Sequence, residues 1–228
     1  MTSVPSANRS STETFTRYAM VAAAIIYPLF LAIALFLAPF DATKSGQDYV
    51  QGFADHIGDY GGPTFWLSAL SVFALIPALF AVSKVARAGK PVLGLVGMIM
   101  ALLLAIPTSG NTDDVIYSAL KNNVDVKTVA AIMKTLEEDS PSGMLGFIFL
   151  PGLIGLFLLG LAALLGKTAP VWASIVLMVA PLLIPVPWFA GLGVALAAVT
   201  WLILAVGMGG VAFALVNKTA DEPVPAGS

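Results

Sequence analysis

Six stretches of this chain, 18–40, 64–85, 91–107, 144–165, 170–187 and 189–216, are almost wholly apolar, and the one charged residue inside them is Lys84. That feature constrains the fold more than any other. A helix needs about 20 apolar residues to cross a bilayer, whereas apolar runs of about 10 to 14 residues belong more often to soluble cores. In hydrocarbon every backbone N–H and C=O must find its partner within the protein, which leaves helices for runs of this composition. The expected fold class is all-α: a polytopic transmembrane helical bundle of about six spans. A charged fraction of 11% agrees, against roughly 25% in soluble domains.

Prolines mark four of the expected helix starts, Pro63, Pro91, Pro141 and Pro170, because the first turn of a helix has no need of the N–H that proline lacks. Pro181, Pro185 and Pro187 should bend or end the fifth stretch. Pro28, Pro77 and Pro151 are expected to kink their helices at mid-depth. The first stretch is longer than the apolar region of a cleaved signal peptide and reads as a retained span. Residues 18–217 thus form one transmembrane domain with long connections at about 41–63 and 108–142, flanked by disordered tails at 1–17 and 218–228.

Counting charges in the connections orients the bundle. One side holds seven Lys and Arg with three acids, the other four Lys and Arg with ten acids. The side richer in Lys and Arg faces the cytoplasm in bacterial plasma membranes. Both termini are therefore expected to be cytoplasmic, in a multi-pass protein of the cell membrane. Trp66, Trp172 and Trp188 fall near span ends, where amphipathic rings settle, whereas Trp201 falls at mid-depth and is expected to pack between helices.

The two long connections carry helical periodicity. Tyr49, Val50, Phe53 and Ile57 share one face of a short helix, with Asp48, Gln51 and Asp55 on the other. Asp125 can cap a second helix striped by Val126, Val129, Met133 and Leu136. Both are expected to lie along the outer interface with the apolar side down.

The run IPTSGNTDDVIYSALKNN follows the third stretch and contains the adjacent carboxylates Asp113 and Asp114. An unbroken helix from Pro91 would carry Asp113 about 33 Å along its axis, just beyond a hydrocarbon core of about 30 Å. A break at TSGN would instead let Asn111 or Thr112 cap a new helix with both acids in its first turn, where the helix dipole favours negative charge. The functional alternative is a cation or polar-headgroup site on the outer face, formed by Asp113, Asp114, Tyr117, Asp41 and His56. His56, the single histidine, reads either as a solvated surface group or as a ligand or external pH sensor.

Several chemistries are excluded. Without cysteine there is no thiolate metal site, one histidine cannot ligate a haem from both sides, and no H-E-x-x-H is present. No metal site, cofactor or catalytic residue is expected. A net charge of −2 leaves no basic footprint for nucleic acid. Membrane lipids are the expected partners. Small-residue faces at Gly97, Ala101 and Ala105, at Gly193 and Ala197, and at Ala205 and Gly209 suit a homo-oligomer or tight internal packing.

Aligning Pro91 on Pro170 sets PVLGLVGMIMALLLAIP over PVWASIVLMVAPLLIPV, a hint of a duplicated hairpin of the kind some carriers contain. With its Ala/Leu/Gly-rich spans, the basic KVARAGK turn, GKTAPVW before the fifth stretch and LEEDSP before the fourth, the chain resembles in layout the uncharacterised bacterial six-span integral membrane proteins. The resemblance implies the same helical fold and transfers no catalytic residue. The reading that follows is a non-catalytic membrane component. Its alternatives are a carrier for a neutral or lipid-like small solute and a membrane enzyme using outer-face carboxylates.

Overall fold

The computed structural model describes residues 11–106, 110–140, 143 and 147–217. Among them the chain is helical with no strand. Five helical segments are long and apolar enough to cross a membrane: Ser11–Phe36 (α1), Pro63–Gly89 (α3), Phe149–Gly166 (α7), Val171–Ala190 and Val194–Asn217. The fourth of these divides into α8, Val171–Leu183, and α9, Val186–Ala190; the fifth into α10, Val194–Ala212, and a last turn, α11, Ala214–Asn217.

The remaining expected span is shorter. The helix α4, Pro91–Ala101, tightens into a 3-10 turn at Leu102–Ala105 and ends with Ile106 in extended conformation. At 1.5 and 2.0 Å per residue this rod reaches about 24 Å, short of a hydrocarbon core of about 30 Å.

Other boundaries shift for identifiable reasons. Ser11–Arg17, expected in a disordered tail, are the first turns of α1; the rest of that tail, and the C-terminal tail at 218–228, lie outside the described residues. Pro63 and Pro91 stand at helix starts and Pro170 caps α8, as expected, while Pro141 lies outside the described residues. Pro28, Pro77 and Pro181 are inside helices, but Pro151 sits in the first turn of α7, where it does not interrupt the hydrogen-bond ladder. The last span starts at Val194 and not at 189, because Gly191 and Gly193 adopt left-handed φ of 60° and 88° and break the chain between α9 and α10.

The long helices pack in a closed ring in which each touches the next: α1 on α3, α3 on α4, α4 on α7, α7 on α8, α8 on α10, and α10 back on α1. The third helix also reaches α7 and α10, so it lies nearest the centre. Lipid tails are as apolar as leucine, so helices in a membrane associate through close packing and not through hydrophobic burial. The glycines supply that packing. A Cβ on Gly155 of α7 would fall 2.2 Å from the Ala101 nitrogen of α4, and one on Gly207 of α10 would fall 2.7 Å from the Leu177 nitrogen of α8. Gly97 faces α7, and Gly209 faces Ile25 of α1. These small-residue faces are thus used inside the chain. Gly193, expected in such a face, is the N-cap residue of α10.

Hydroxyls at depth mostly bond to their own helix: Ser71 to Ser68 O at 2.6 Å and Thr200 to Ala197 O at 2.7 Å. Ser83 is different, donating to the Met98 sulfur across the α3–α4 contact at 3.1 Å. Trp201 is buried between helices, edge-on to Tyr27 with ring centroids 5.9 Å apart. By contrast Phe73 (79%), Val92 (77%) and Phe80 (49%) are among many large apolar side chains exposed on the bundle's outside. An apolar exterior around a buried, glycine-packed interior identifies an integral membrane protein.

The start of α1 and the last turn, α11, meet at one end of the bundle, where Arg17 Nη1 donates to Leu215 O at 3.4 Å. The opposite end carries three short helices: α2, Gly46–Asp55; α5, Gly110–Lys121; and α6, Val126–Asp139. The apolar faces of α2 and α6, expected to lie along the outer interface, turn inward instead. They close on one another around Val50, Phe53, Ile116, Val129 and Met133, a second core separate from that of the bundle. The reason is α5: its Ile116 is fully buried and supplies the third wall that two helices alone would lack.

Candidate functional site

Every residue expected to form an outer-face site lies in or beside this cap. The rod that begins with α4 ends at Ala105 and a separate helix begins at Gly110, so Asp113 and Asp114 do not stand on an unbroken helix from Pro91. The helix α5 begins at Gly110, so Asn111 and Thr112 are inside its first turn and not ahead of it. Asp113 is also in that first turn, where exposed N–H groups favour negative charge.

The two acids point to different partners. Tyr49, on α2, donates its hydroxyl to Asp113 Oδ1 at 2.8 Å. Tyr60, just after the 3-10 turn Ile57–Asp59, donates to Asp114 Oδ1 in a short hydrogen bond. Tyr60 stacks nearly parallel on Tyr117, one turn along α5, with ring centroids 4.4 Å apart, and the Lys121 ammonium sits 5.5 Å from the centre of the Tyr117 ring. Adjacent residues on a helix diverge by about 100°, so Asp113 and Asp114 cannot share one partner; the loop between α2 and α3 meets the second acid while α2 meets the first.

Electrostatics follow from burial. Asp113 is half-buried, and removal from water raises its carboxyl above the ordinary range; the Tyr49 hydrogen bond opposes this and the neighbouring Asp114 charge adds to it. Burial and the aspartate beside each ring also push the Tyr49 and Tyr60 hydroxyls up. Both phenols therefore stay protonated and serve as donors.

Asp41 is elsewhere. Its Oδ1 accepts from the Thr43 hydroxyl at 2.7 Å and from the Thr43 N–H at 3.0 Å. It also faces the first turn of α10, where the Val194 N–H adds to the stabilisation of its charge. Together these hold its carboxyl below the usual range, with the Thr43 hydroxyl the largest contributor. Asp41 thus ties the α1–α2 loop to the start of the last long helix.

His56 is half-buried, not a freely solvated group. Its Nδ1 is 3.0 Å from Gly52 O, and its ring stacks on Phe40 at 6.0 Å. Phe40 lies over Gly52, where a Cβ would fall 2.9 Å from its ring, and also meets Tyr49 and Phe53. Asp125 caps α6 as expected, accepting from the Thr128 N–H at 3.0 Å and from its hydroxyl at 2.6 Å.

The five expected site residues are therefore not one cluster. Asp113, Asp114 and Tyr117 belong to α5 with Tyr49 and Tyr60 as partners, His56 belongs to the Phe40 stack, and Asp41 belongs to the α10 start. Tyr49 and Tyr60 were not singled out as site residues, and only Tyr49 stood out at all, for its place in an apolar stripe. Among the described residues no group of three or more His, Asp or Glu is placed to hold a metal ion. Comparison with family models, curated proteins and solved structures found no match to this chain.

Proposed function

We propose that this chain is a non-catalytic, multi-pass component of the cell membrane, with both termini cytoplasmic and the acidic cap on the outer side. The single observation that supports the non-catalytic part is how the carboxylates are used. Asp113 and Asp114 accept from Tyr49 and Tyr60, Asp41 from Thr43, and Asp125 from Thr128. The first two bridge distant segments and the last two close local turns, which is the ordinary work of bridging and capping carboxylates. The orientation rests on the Lys and Arg count.

The test is complementation of a strain lacking the gene with the Asp113→Asn, Asp114→Asn double variant. Asparagine keeps an acceptor for each tyrosine, so a native phenotype at native abundance is expected. Loss of the phenotype at native abundance overturns the proposal. A reporter active only outside the cytoplasm should be silent at the C-terminus and active when inserted at Asn122–Asn123, the turn between α5 and α6.

One observation favours a second reading, a membrane enzyme with Asp113 as acid or base. A half-buried carboxyl held above its ordinary range by burial holds its proton more tightly than a free one, as a general acid or base must. Under that reading Asp113→Asn alone abolishes function, while Asp114→Asn does not.

A further inference from the structure

The two turns at the terminal end of the bundle, between α3 and α4 and between α7 and α8, are pressed together. A Cβ on Gly89 would fall 2.4 Å from the Gly166 Cα and 2.8 Å from the Thr168 methyl carbon. Lysines follow both glycines, Lys90 and Lys167. With neighbouring Cα atoms 3.8 Å apart, the Cα atoms of these two lysines are within about 12 Å of each other. Two lysine side chains span that distance and can converge on one anion. Arg87 joins them from α3: a Cβ on Gly94 of α4 would fall 2.8 Å from the Arg87 Cγ, so its stem lies along the α3–α4 contact.

These cations have no counter-charge from the helices that carry them. Residues 63–106 and 147–217 contain no Asp or Glu. The acid described at this end, Glu13 on α1, contacts Arg17. Arg87, Lys90 and Lys167 are all exposed. The surface beside them is apolar: Val92 is 77% exposed, Val171 61% and Trp172 55%. A basic group directly above bare apolar surface at the end of a membrane helix matches a lipid in both charge and polarity, phosphate above and acyl chain below.

We infer that Arg87, Lys90 and Lys167 form a binding site for the headgroup of an anionic phospholipid, whose acyl chains lie against Val92, Val171 and Trp172. The inference rests on the membrane reading above and names the lipid class that this end of the bundle selects. Free phosphate offers the same charge without the acyl chains, and would engage the lysines without the apolar flank.

The test uses the full chain purified in detergent and supplied with phosphatidylglycerol or phosphatidylcholine, with retained lipid counted by native mass spectrometry. The native protein should retain phosphatidylglycerol in preference. The triple variant Arg87→Gln, Lys90→Gln, Lys167→Gln should lose that retention by an order of magnitude, since each basic group near an anionic surface contributes severalfold. A control at the cap end, Lys44→Gln, Lys127→Gln, Lys134→Gln, should retain it. The Lys90→Arg, Lys167→Arg variant should behave as native, which separates lost charge from a damaged fold.

Equal loss in both triple variants, or no loss in the first, overturns the inference. So does a thermal stabilisation by inorganic phosphate equal to that by phosphatidylglycerol, which would assign the cluster to a soluble anion. Alkaline carbonate extraction of the same membranes keeps the two readings apart. A chain released by carbonate refutes membrane integration itself, whereas a chain that resists extraction and shows no lipid preference refutes only the headgroup site.

Discussion

Tyr49 donates a 2.8 Å hydrogen bond to Asp113 across 64 positions of sequence, and so joins the first cap helix, α2, to the second, α5. The contact is to a charged acceptor in a half-buried place, where a donor cannot be removed without leaving the carboxylate unsatisfied. Replacing Tyr49 by Phe should weaken the cap by about 1.5–3 kcal/mol. Hydrogen exchange should then rise in α5 and α2, while exchange in α3, α7 and α10 stays at native levels. Uniform loosening of cap and bundle would show that the cap's core is not separate.

The cap should respond to pH in two windows of opposite sign. The Asp113 carboxyl lies above its ordinary value in the folded protein, chiefly through burial. The folded state therefore holds that proton more tightly than the unfolded state. Its stabilising contribution is fully present below the ordinary carboxylate value and is lost as pH rises through the raised folded value. Acidification through that raised folded value should tighten α5, read as slower exchange once the intrinsic pH dependence of exchange is divided out. Asp113→Asn should flatten that response.

Asp41 and Asp125 behave in the reverse manner. Hydrogen bonds from Thr43 and Thr128 hold both carboxyls below their ordinary value. Their contributions are present above that ordinary value and are lost as pH falls through the lowered folded values. Exchange at the starts of α10 and α6 should therefore accelerate only in strong acid, below the window in which Asp113 acts.

Asp41→Ala should destabilise the start of α10 by about 0.5–2 kcal/mol, the usual cost of losing a capping carboxylate. Faster exchange is expected at Val194 and in the next turn, with little change at Trp201. No local change would mean that the Thr43 turn, and not α10, is the main beneficiary of this side chain.

Gly155→Ala should lower the thermal midpoint in detergent sharply, because the added Cβ would fall 2.2 Å from the Ala101 nitrogen and two helix backbones would have to part. Overpacking of this kind costs about 1–3 kcal/mol. Gly58→Ala is the matched control, since nothing lies within 4 Å of a Cβ there, and its midpoint should stay near native.

Much of this architecture was legible in the sequence. Uncharged runs of bilayer length can only be helices, because hydrocarbon offers the backbone no other partner. That argument needs no tertiary information and located the long helices, the proline starts at Pro63 and Pro91, and the burial of Trp201. The Asp125 cap and the Val129 and Met133 stripe were equally readable, since both depend on residues a turn or two apart.

What the sequence could not supply was any relation between distant segments. The pairing of Tyr49 with Asp113 and of Tyr60 with Asp114, the closure of α2, α5 and α6 on Ile116, the contact of Gly89 with Gly166, and the end of α4 at Ala105 were decided by tertiary structure. An amphipathic helix shows that one face must be covered, but not whether lipid or another helix covers it. The apolar runs dictated helices; close packing of backbones and the need of half-buried carboxylates for donors decided which helices meet.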